Sequence, residues 1–318
     1  MRRPVVRADW TGRVDEAEGE AGRRWHQVMR ARDTAAARIA LIGFACDAGV
    51  IRNQGRRGAA SGPHALRQAL ANLPAHSIDA IDDLGDVACA GDGLETAQEE
   101  FSAVVADTLR AGSLPLGLGG GHEMALASWC GLHDALRARG DRGAIGILNF
   151  DAHFDLRAGE PGTSGTPFRQ ILEQAAAQER QVRYLCIGVS RFANTAALFN
   201  RAAALGVRWV LDEETRAERY DVLVREIGIL AGEVDHLYLT ICLDAFPAAV
   251  APGVSAPAAL GIDPGLVERL VDAACAAGKL RLADVAELNP SFDVDGRTAR
   301  LAARLVARIA WNVAQPTG

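Results

Sequence analysis

Eight consecutive residues carry the densest chemistry in the chain: Leu148-Asn149-Phe150-Asp151-Ala152-His153-Phe154-Asp155. The run that leads into them, residues 144–150 (AIGILNF), is continuously apolar. Such a run reads as a strand buried on both faces of a parallel sheet. It ends in Asp-x-His-x-Asp, just past the carboxyl end of the strand, where open α/β sheets place their ligands. Alternate residues of an extended segment point the same way, so Asp151, His153 and Asp155 can converge. Two carboxylates and an imidazole make a divalent-metal site, and the oxygen-rich set leans towards manganese or magnesium over a structural zinc. A single Asp there would read equally well as a cap; the triplet does not.

The elements around this segment repeat the same logic. Apolar runs at 38–44, 80–84, 114–118, 182–189, 207–211, 236–243 and 280–287 read as further strands. Between them lie helical patterns at 94–111, 124–139, 194–205, 222–231 and 297–313, with others starting at Pro63 and Pro167 and one capped by Asp263 and running to Ala277. Strands alternating with helices predict a three-layer α-β-α sandwich on a mostly parallel sheet of about eight strands. No linker, repeat or low-complexity stretch interrupts residues 1–318, so a single domain is expected, with residues 1–36 as an arm packed on the body. Trp10 and Trp25 read as packing anchors of that arm. Residues 49–62 read as a Gly- and Arg-rich loop, and no phosphate-binding glycine pattern is present.

Other strand exits are also polar. The strand at 114–118 is followed by Gly119-Gly120-Gly121-His122-Glu123. Three glycines allow a close backbone approach and positive φ. The strand at 236–243 leads to Cys242 and Asp244, and the last strand leads to Glu287. His122, Asp151, His153, Asp155, Asp244 and Glu287 therefore sit on one edge of the sheet. They suffice for two metals that share ligands, which would supply hydroxide at neutral pH. Glu287 is left to pair with a cationic group of the substrate.

Composition narrows the remaining classes. The chain has 318 residues, 49% hydrophobic and 23% charged, with a net charge of −6. This is ordinary for a soluble protein, and dispersed Lys and Arg leave no footprint for nucleic acid or an anionic membrane. Six cysteines without CxxC spacing, no apolar signal core and no run long enough to span a bilayer fit a cytoplasmic protein acting on a small molecule.

The motifs GGGHE (119–123), NFDAHFD (149–155), LDAFPAAVAPGVSAP (243–257) and DVAELNP (284–290) resemble those of the ureohydrolases, the arginase and agmatinase superfamily. They follow the family's order across most of the chain. WTGRVD (10–15), RRWHQV (23–28), SGTPFRQI (164–171) and PAAVAPGVSAPAALG (247–261) look like its formimidoylglutamase branch. The resemblance implies two Mn2+ per chain and a homotrimer or hexamer. It implies that His122 and Asp155 hold one metal, that His153 and Asp244 hold the other and that Asp151 bridges, with Glu287 gripping the amidine end of the substrate. It further implies hydrolysis of N-formimidoyl-L-glutamate to L-glutamate and formamide in histidine degradation, with Asp155 passing a proton to the leaving nitrogen.

Two residues depart from the family. Cys242 stands where the family has a bridging Asp. As a thiolate it would ligate and pull preference towards zinc, iron or cobalt; as a neutral thiol it would leave the second site short of a ligand. Ser164 stands near a proton-shuttling His of the arginases, which argues against arginase itself and leaves a hydroxyl for the substrate. Arg157, two residues past Asp155, suits a carboxylate through its planar fork. Arg191, at another strand exit, either holds a second carboxylate or is a surface charge. The competing readings are hydrolysis of agmatine or guanidinobutyrate, with a cationic tail repelled at Arg157, and a metal-poor, non-catalytic relative explained by Cys242.

Overall fold

The apolar runs become strands because a parallel sheet covered on both faces offers its central strands no solvent side, so each residue of the run has a core to enter. A computed structural model describes residues 2–3, 10–31 and 36–315. Its strands are β1 (Arg2–Arg3), β2 (Met29–Arg30), β3 (Ile39–Ala45), β4 (Ile81–Ala88), β5 (Leu114–Leu118), β6 (Ile145–Phe150), β7 (Val182–Val189), β8 (Arg208–Leu211), β9 (His236–Cys242) and β10 (Leu280–Ala286). The eight long strands lie in the order β4-β3-β5-β10-β9-β6-β7-β8, and every neighbouring pair among them is parallel. These are the eight strands the sequence predicts. The two-residue strands β1 and β2 both pair with β4, β1 antiparallel and β2 parallel. Two residues are too few for any periodicity to reveal.

The helices are α1 (Trp25–Val28), α2 (Ala48–Arg52), α3 (Gly62–Ala71), α4 (Leu94–Arg110), α5 (Met124–Ala138), α6 (Pro167–Ala177), α7 (Ala196–Ala204), α8 (Tyr220–Gly232), α9 (Pro264–Ala276) and α10 (Arg297–Ala314). Helices α3, α8, α9 and α10 cover one face of the sheet, and α4, α5, α6 and α7 cover the other. The period of two assigns each strand residue its side: in β6, Leu148 and Phe150 enter the first core and Ile145 and Ile147 the second. Helix α10 turns Leu301, Leu305 and Ile309 inward at helical spacing. Each such side chain contributes roughly 1.5–3 kcal/mol by leaving water. Asp263 caps α9, its carboxylate accepting from the Leu266 amide at 2.8 Å.

Within the arm, Trp25 is fully buried, and Trp10 Nε1 donates to Asp83 Oδ2 at 2.7 Å. Residues 1, 4–9 and 32–35 of the arm lie outside the described residues. The loop expected at 49–62 instead contains α2. This helix is only five residues long, and the glycines around it hide it in the sequence; the Gly49 amide is held by Glu123 Oε1 at 2.8 Å.

Candidate metal centre

Four adjacent central strands, β5, β10, β9 and β6, end at one level. Val285 pairs with Leu118, Ala286 with Cys242, and Ile241 with Phe150. The residues that follow, His122, Glu287, Cys242 with Asp244, and Asp151 to Asp155, are thereby delivered to one place although they are spread over 166 positions (122 to 287). The glycine turn after β5 makes the fit possible. A Cβ on Gly120 would lie 1.9 Å from the Cys46 carbonyl oxygen, and one on Gly119 2.6 Å from that of Val285. Close approach is the whole reason for these glycines, because none of the three adopts positive φ. The left-handed residues are instead Asp155 (φ 49°) and Glu287 (φ 71°). Such backbone costs on the order of 1–3 kcal/mol and persists where the surroundings enforce it, commonly at functional sites.

Asp151 lies at the middle of the cluster. His122 Nδ1 is 3.0 Å from Asp151 Oδ2 and 3.1 Å from Asp155 Oδ2. His153 Nδ1 is 3.1 Å from Asp244 Oδ2 and 3.6 Å from Asp151 Oδ1. The Cys242 thiol donates to Asp244 Oδ1 at 2.8 Å. Ligand atoms of His122, Asp151 and Cys242 all lie within 4.8 Å of one another, as do those of Asp151, His153 and Asp244. Asp151 thus belongs to both groups. Its carboxylate is fixed by the His153 amide at 2.8 Å and by Asn149 Nδ2 at 3.1 Å. His122 Nε2 lies 3.0 Å from Thr240 Oγ1, so a cation held at Nδ1 would leave the ring proton on Nε2 with an acceptor.

Two observations say that a cation fits here. His122 Nδ1 is buried and makes no hydrogen bond despite its nearness to two carboxylates. Nitrogen and oxygens are directed at a common point rather than at each other. Second, the charge is unbalanced. Burial works against both imidazolium forms, yet the neighbouring carboxylates hold His122 and His153 well above the usual histidine range. Burial pushes Asp155 up to about 6, with the charge of Asp151 adding to it. Asp151 stays below the usual carboxylate range because both histidines outweigh its burial. Burial pushes Glu287 up to about 8, followed by the charges of Glu123 and Asp244. Burial also drives the Cys242 thiol well up, with Asp151 and Asp244 adding to it. Crowded carboxylates with too little positive charge among them are what divalent ions neutralise.

A cavity of about 260 Å³ opens from this cluster and is lined by His122, His153, Asp155, Cys242, Asp244 and Glu287 at its inner end. Arg157 and Ser164 line it too, together with Asn53, Gln54, Arg56, Asn194 and Ser255. One carboxylate oxygen of Glu287 accepts from the His122 amide at 3.0 Å, while the other is buried without a partner. Ser164 Oγ accepts from Asn53 Nδ2 at 3.2 Å. Arg191 is not brought to the cavity: its guanidinium is half exposed and pairs with Glu213 at 3.1 Å. This is the surface-charge alternative: the exit of β7 does reach the cavity, but through Asn194, while Arg191 turns to Glu213. The second carboxylate contact expected of Arg191 is therefore corrected. Sequence reasoning missed Asn53, Gln54, Arg56, Asn194 and Ser255. Only the glycine density of 49–62 hinted that this loop approaches something closely.

The Arginase family profile matches residues 37–311. The formimidoylglutamase of Ralstonia nicotianae is 56% identical over 309 residues, covering 96% of this chain and 95% of its own. That of Aromatoleum aromaticum is 50% identical, covering 97% and 93%. Among solved structures, a formiminoglutamase variant of Trypanosoma cruzi crystallised with Mn2+ superposes with a TM-score of 0.81 at 25% identity, covering 93% of this chain and 99% of that one. An arginase of Bacillus subtilis shares the fold, with a TM-score of 0.71 at 23% identity and coverage of 85% and 97%.

Proposed function

The chain belongs to the arginase family, and from that premise we propose that it hydrolyses N-formimidoyl-L-glutamate to L-glutamate and formamide. One observation carries the substrate choice. A single cavity has the unpartnered carboxylate oxygen of Glu287 at its inner end and Arg157 on its wall. Among the described residues, no ion pair to Arg157 is present. A substrate with a cationic amidine at one end and carboxylates at the other complements both.

His122, Asp151, Asp155 and Cys242 would hold one divalent ion, and Asp151, His153 and Asp244 an Mn2+. Bound there, Mn2+ supplies hydroxide at neutral pH and polarises the group under attack. The chain's own residues do the rest. Glu287 pairs with the amidinium and fixes the formimidoyl carbon over the cluster; cationic substrate draws the carboxyl to its ionised form. Arg157 holds a carboxylate in its planar fork and sets the distance between the two ends. Ser164 and Asn53 offer a hydroxyl and an amide to the same region. As hydroxide adds to the formimidoyl carbon and its bond to the glutamate nitrogen breaks, Asp155 hands a proton to that nitrogen, so the amine leaves neutral. A homotrimer or hexamer and a cytoplasmic location belong to the same proposal. No helix among the described residues is long and apolar enough to cross a membrane.

The test is turnover by the Mn2+-loaded protein on formimidoylglutamate, guanidinobutyrate and agmatine side by side. Turnover of the first, weak turnover of the second and none of the third is expected. Preference for agmatine would refute the role of Arg157 and with it the substrate assignment.

A further inference from the structure

The two ligand groups are not chemically alike. Ligand atoms of His122, Asp151 and Cys242 form one; ligand atoms of Asp151, His153 and Asp244 form the other. Sulfur belongs to the first group alone. Asp155 stands next to that group, its Oδ2 lying 3.1 Å from His122 Nδ1 but not among the atoms that all lie within 4.8 Å of one another. The first position therefore has one nitrogen, one sulfur and one carboxylate, all buried, with a second carboxylate beside them. Nitrogen, sulfur and carboxylate donors are those that Zn2+ and Co2+ accept. The second position has one nitrogen and two carboxylates, no sulfur, and room for water, which suits Mn2+.

A buried cysteine alone would mean little. Here a second, independent feature points to a ligand: His122 Nδ1, on a side chain 1% exposed, faces the same point and has no hydrogen-bond partner. Asp244 links the two halves, with Oδ1 accepting from the Cys242 thiol and Oδ2 facing His153. When Cys242 ligates, its proton leaves to solvent and Asp244 is freed to serve the second position.

We infer that Cys242 makes this a mixed-metal centre, with a thiophilic divalent ion held by His122, Asp151, Asp155 and Cys242 and with Mn2+ held by Asp151, His153 and Asp244. This rests on the reading of the cluster as the family's metal centre and adds which ion goes where.

The experiment uses the full chain, stripped of metal and offered one equivalent of Co2+ together with two of Mn2+. Expected are one of each ion by elemental analysis, a near-ultraviolet sulfur-to-cobalt charge-transfer band and, with diamagnetic Zn2+ in place of Co2+, the electron paramagnetic resonance signal of magnetically isolated Mn2+. Cys242→Ser should lose the band. Cys242→Asp should lose it too and bind two Mn2+ when Mn2+ alone is offered in excess. Bound Co2+ without the band in the unaltered protein, or the same band in Cys242→Ser, would overturn the inference. Two Mn2+ taken up by the unaltered protein in that competition would overturn it as well. If hydrolysis of formimidoylglutamate persists in any of these cases, the inference alone has failed. If neither ion binds, the reading of the metal centre fails with it.

Discussion

Two of the buried polar clusters among the described residues differ in one respect. Beside strand β4, Arg67 of α3 donates to both oxygens of Asp83 at 2.8 and 2.9 Å and to Asp86 at 2.6 Å. Trp10 and the Gly85 amide complete the coordination of Asp83. No side-chain atom of this group is left without a partner. At the exits of the four central strands, His122 Nδ1 and Glu287 Oε2 have none, and two residues bear left-handed backbone. Burial is common to both clusters; satisfaction is not. The first cluster is complete in itself and holds the arm to the sheet. The second becomes complete only when a cation and a substrate enter it, and folding bears its cost until then.

The contrast can be broken in order of effect. Asp151→Ala removes the ligand common to both groups and should lower turnover of formimidoylglutamate by roughly a thousandfold or more, measured with saturating Mn2+. Its metal-free form also loses the hydrogen bonds that the carboxylate accepts from the His153 amide and Asn149 Nδ2, so its melting temperature should fall, by less than that of Arg67→Ala. Arg67→Ala should do the reverse. It strands the buried carboxylate of Asp83 and the partly exposed one of Asp86 and should cost about 3–5 kcal/mol of stability by urea denaturation, with kcat retained in whatever fraction stays folded. Arg157→Ala tests the rim of the cavity. Loss of a charge-assisted contact worth about 1.5–3 kcal/mol should raise KM roughly tenfold or more while kcat moves less.

The smallest effect is the most diagnostic. Asp155 has its carboxyl raised to about 6, so its ionised form is disfavoured in the metal-free folded state. For an acid with a raised folded value, destabilisation sets in as pH climbs through the unfolded value and is complete above the folded one. Metal-free Asp155→Asn should therefore melt at or above the unaltered protein at pH 7. The difference should vanish below about pH 4, where the unfolded carboxyl is protonated too. Turnover should be lost in the same variant. A fall in melting temperature would mean that Asp155 is satisfied as Asp83 is.

Why the sequence revealed the inner end of the site and not its rim follows from how each is built. Parallel strands buried on both faces are written as apolar runs, and the first polar residue after each run marks its exit. Asp151, Asp244, His122 and Glu287 could be placed that way before any coordinates. The same rule did not separate Arg191 from Asn194: both follow β7, only Asn194 lines the cavity, and which residue of an exit loop turns inward is not written in periodicity. Asn53, Arg56, Asn194 and Ser255 sit on loops whose meeting depends on tertiary packing. The Ser255 hydroxyl, for example, accepts from the Arg56 amide at 2.9 Å across 199 residues. Cys242 was visible as an oddity. Only the fold assigns its sulfur to one ligand group and not the other.

The most direct test of the unsatisfied cluster is the melting temperature of the metal-free protein with and without Mn2+, measured beside Asp151→Ala and a conservative Arg67→Lys. A ligand that binds only the folded state raises stability in proportion to its occupancy. The account predicts a clear rise for the unaltered protein and for Arg67→Lys, and none for Asp151→Ala. No rise in the unaltered protein, or an equal rise in Asp151→Ala, would contradict it.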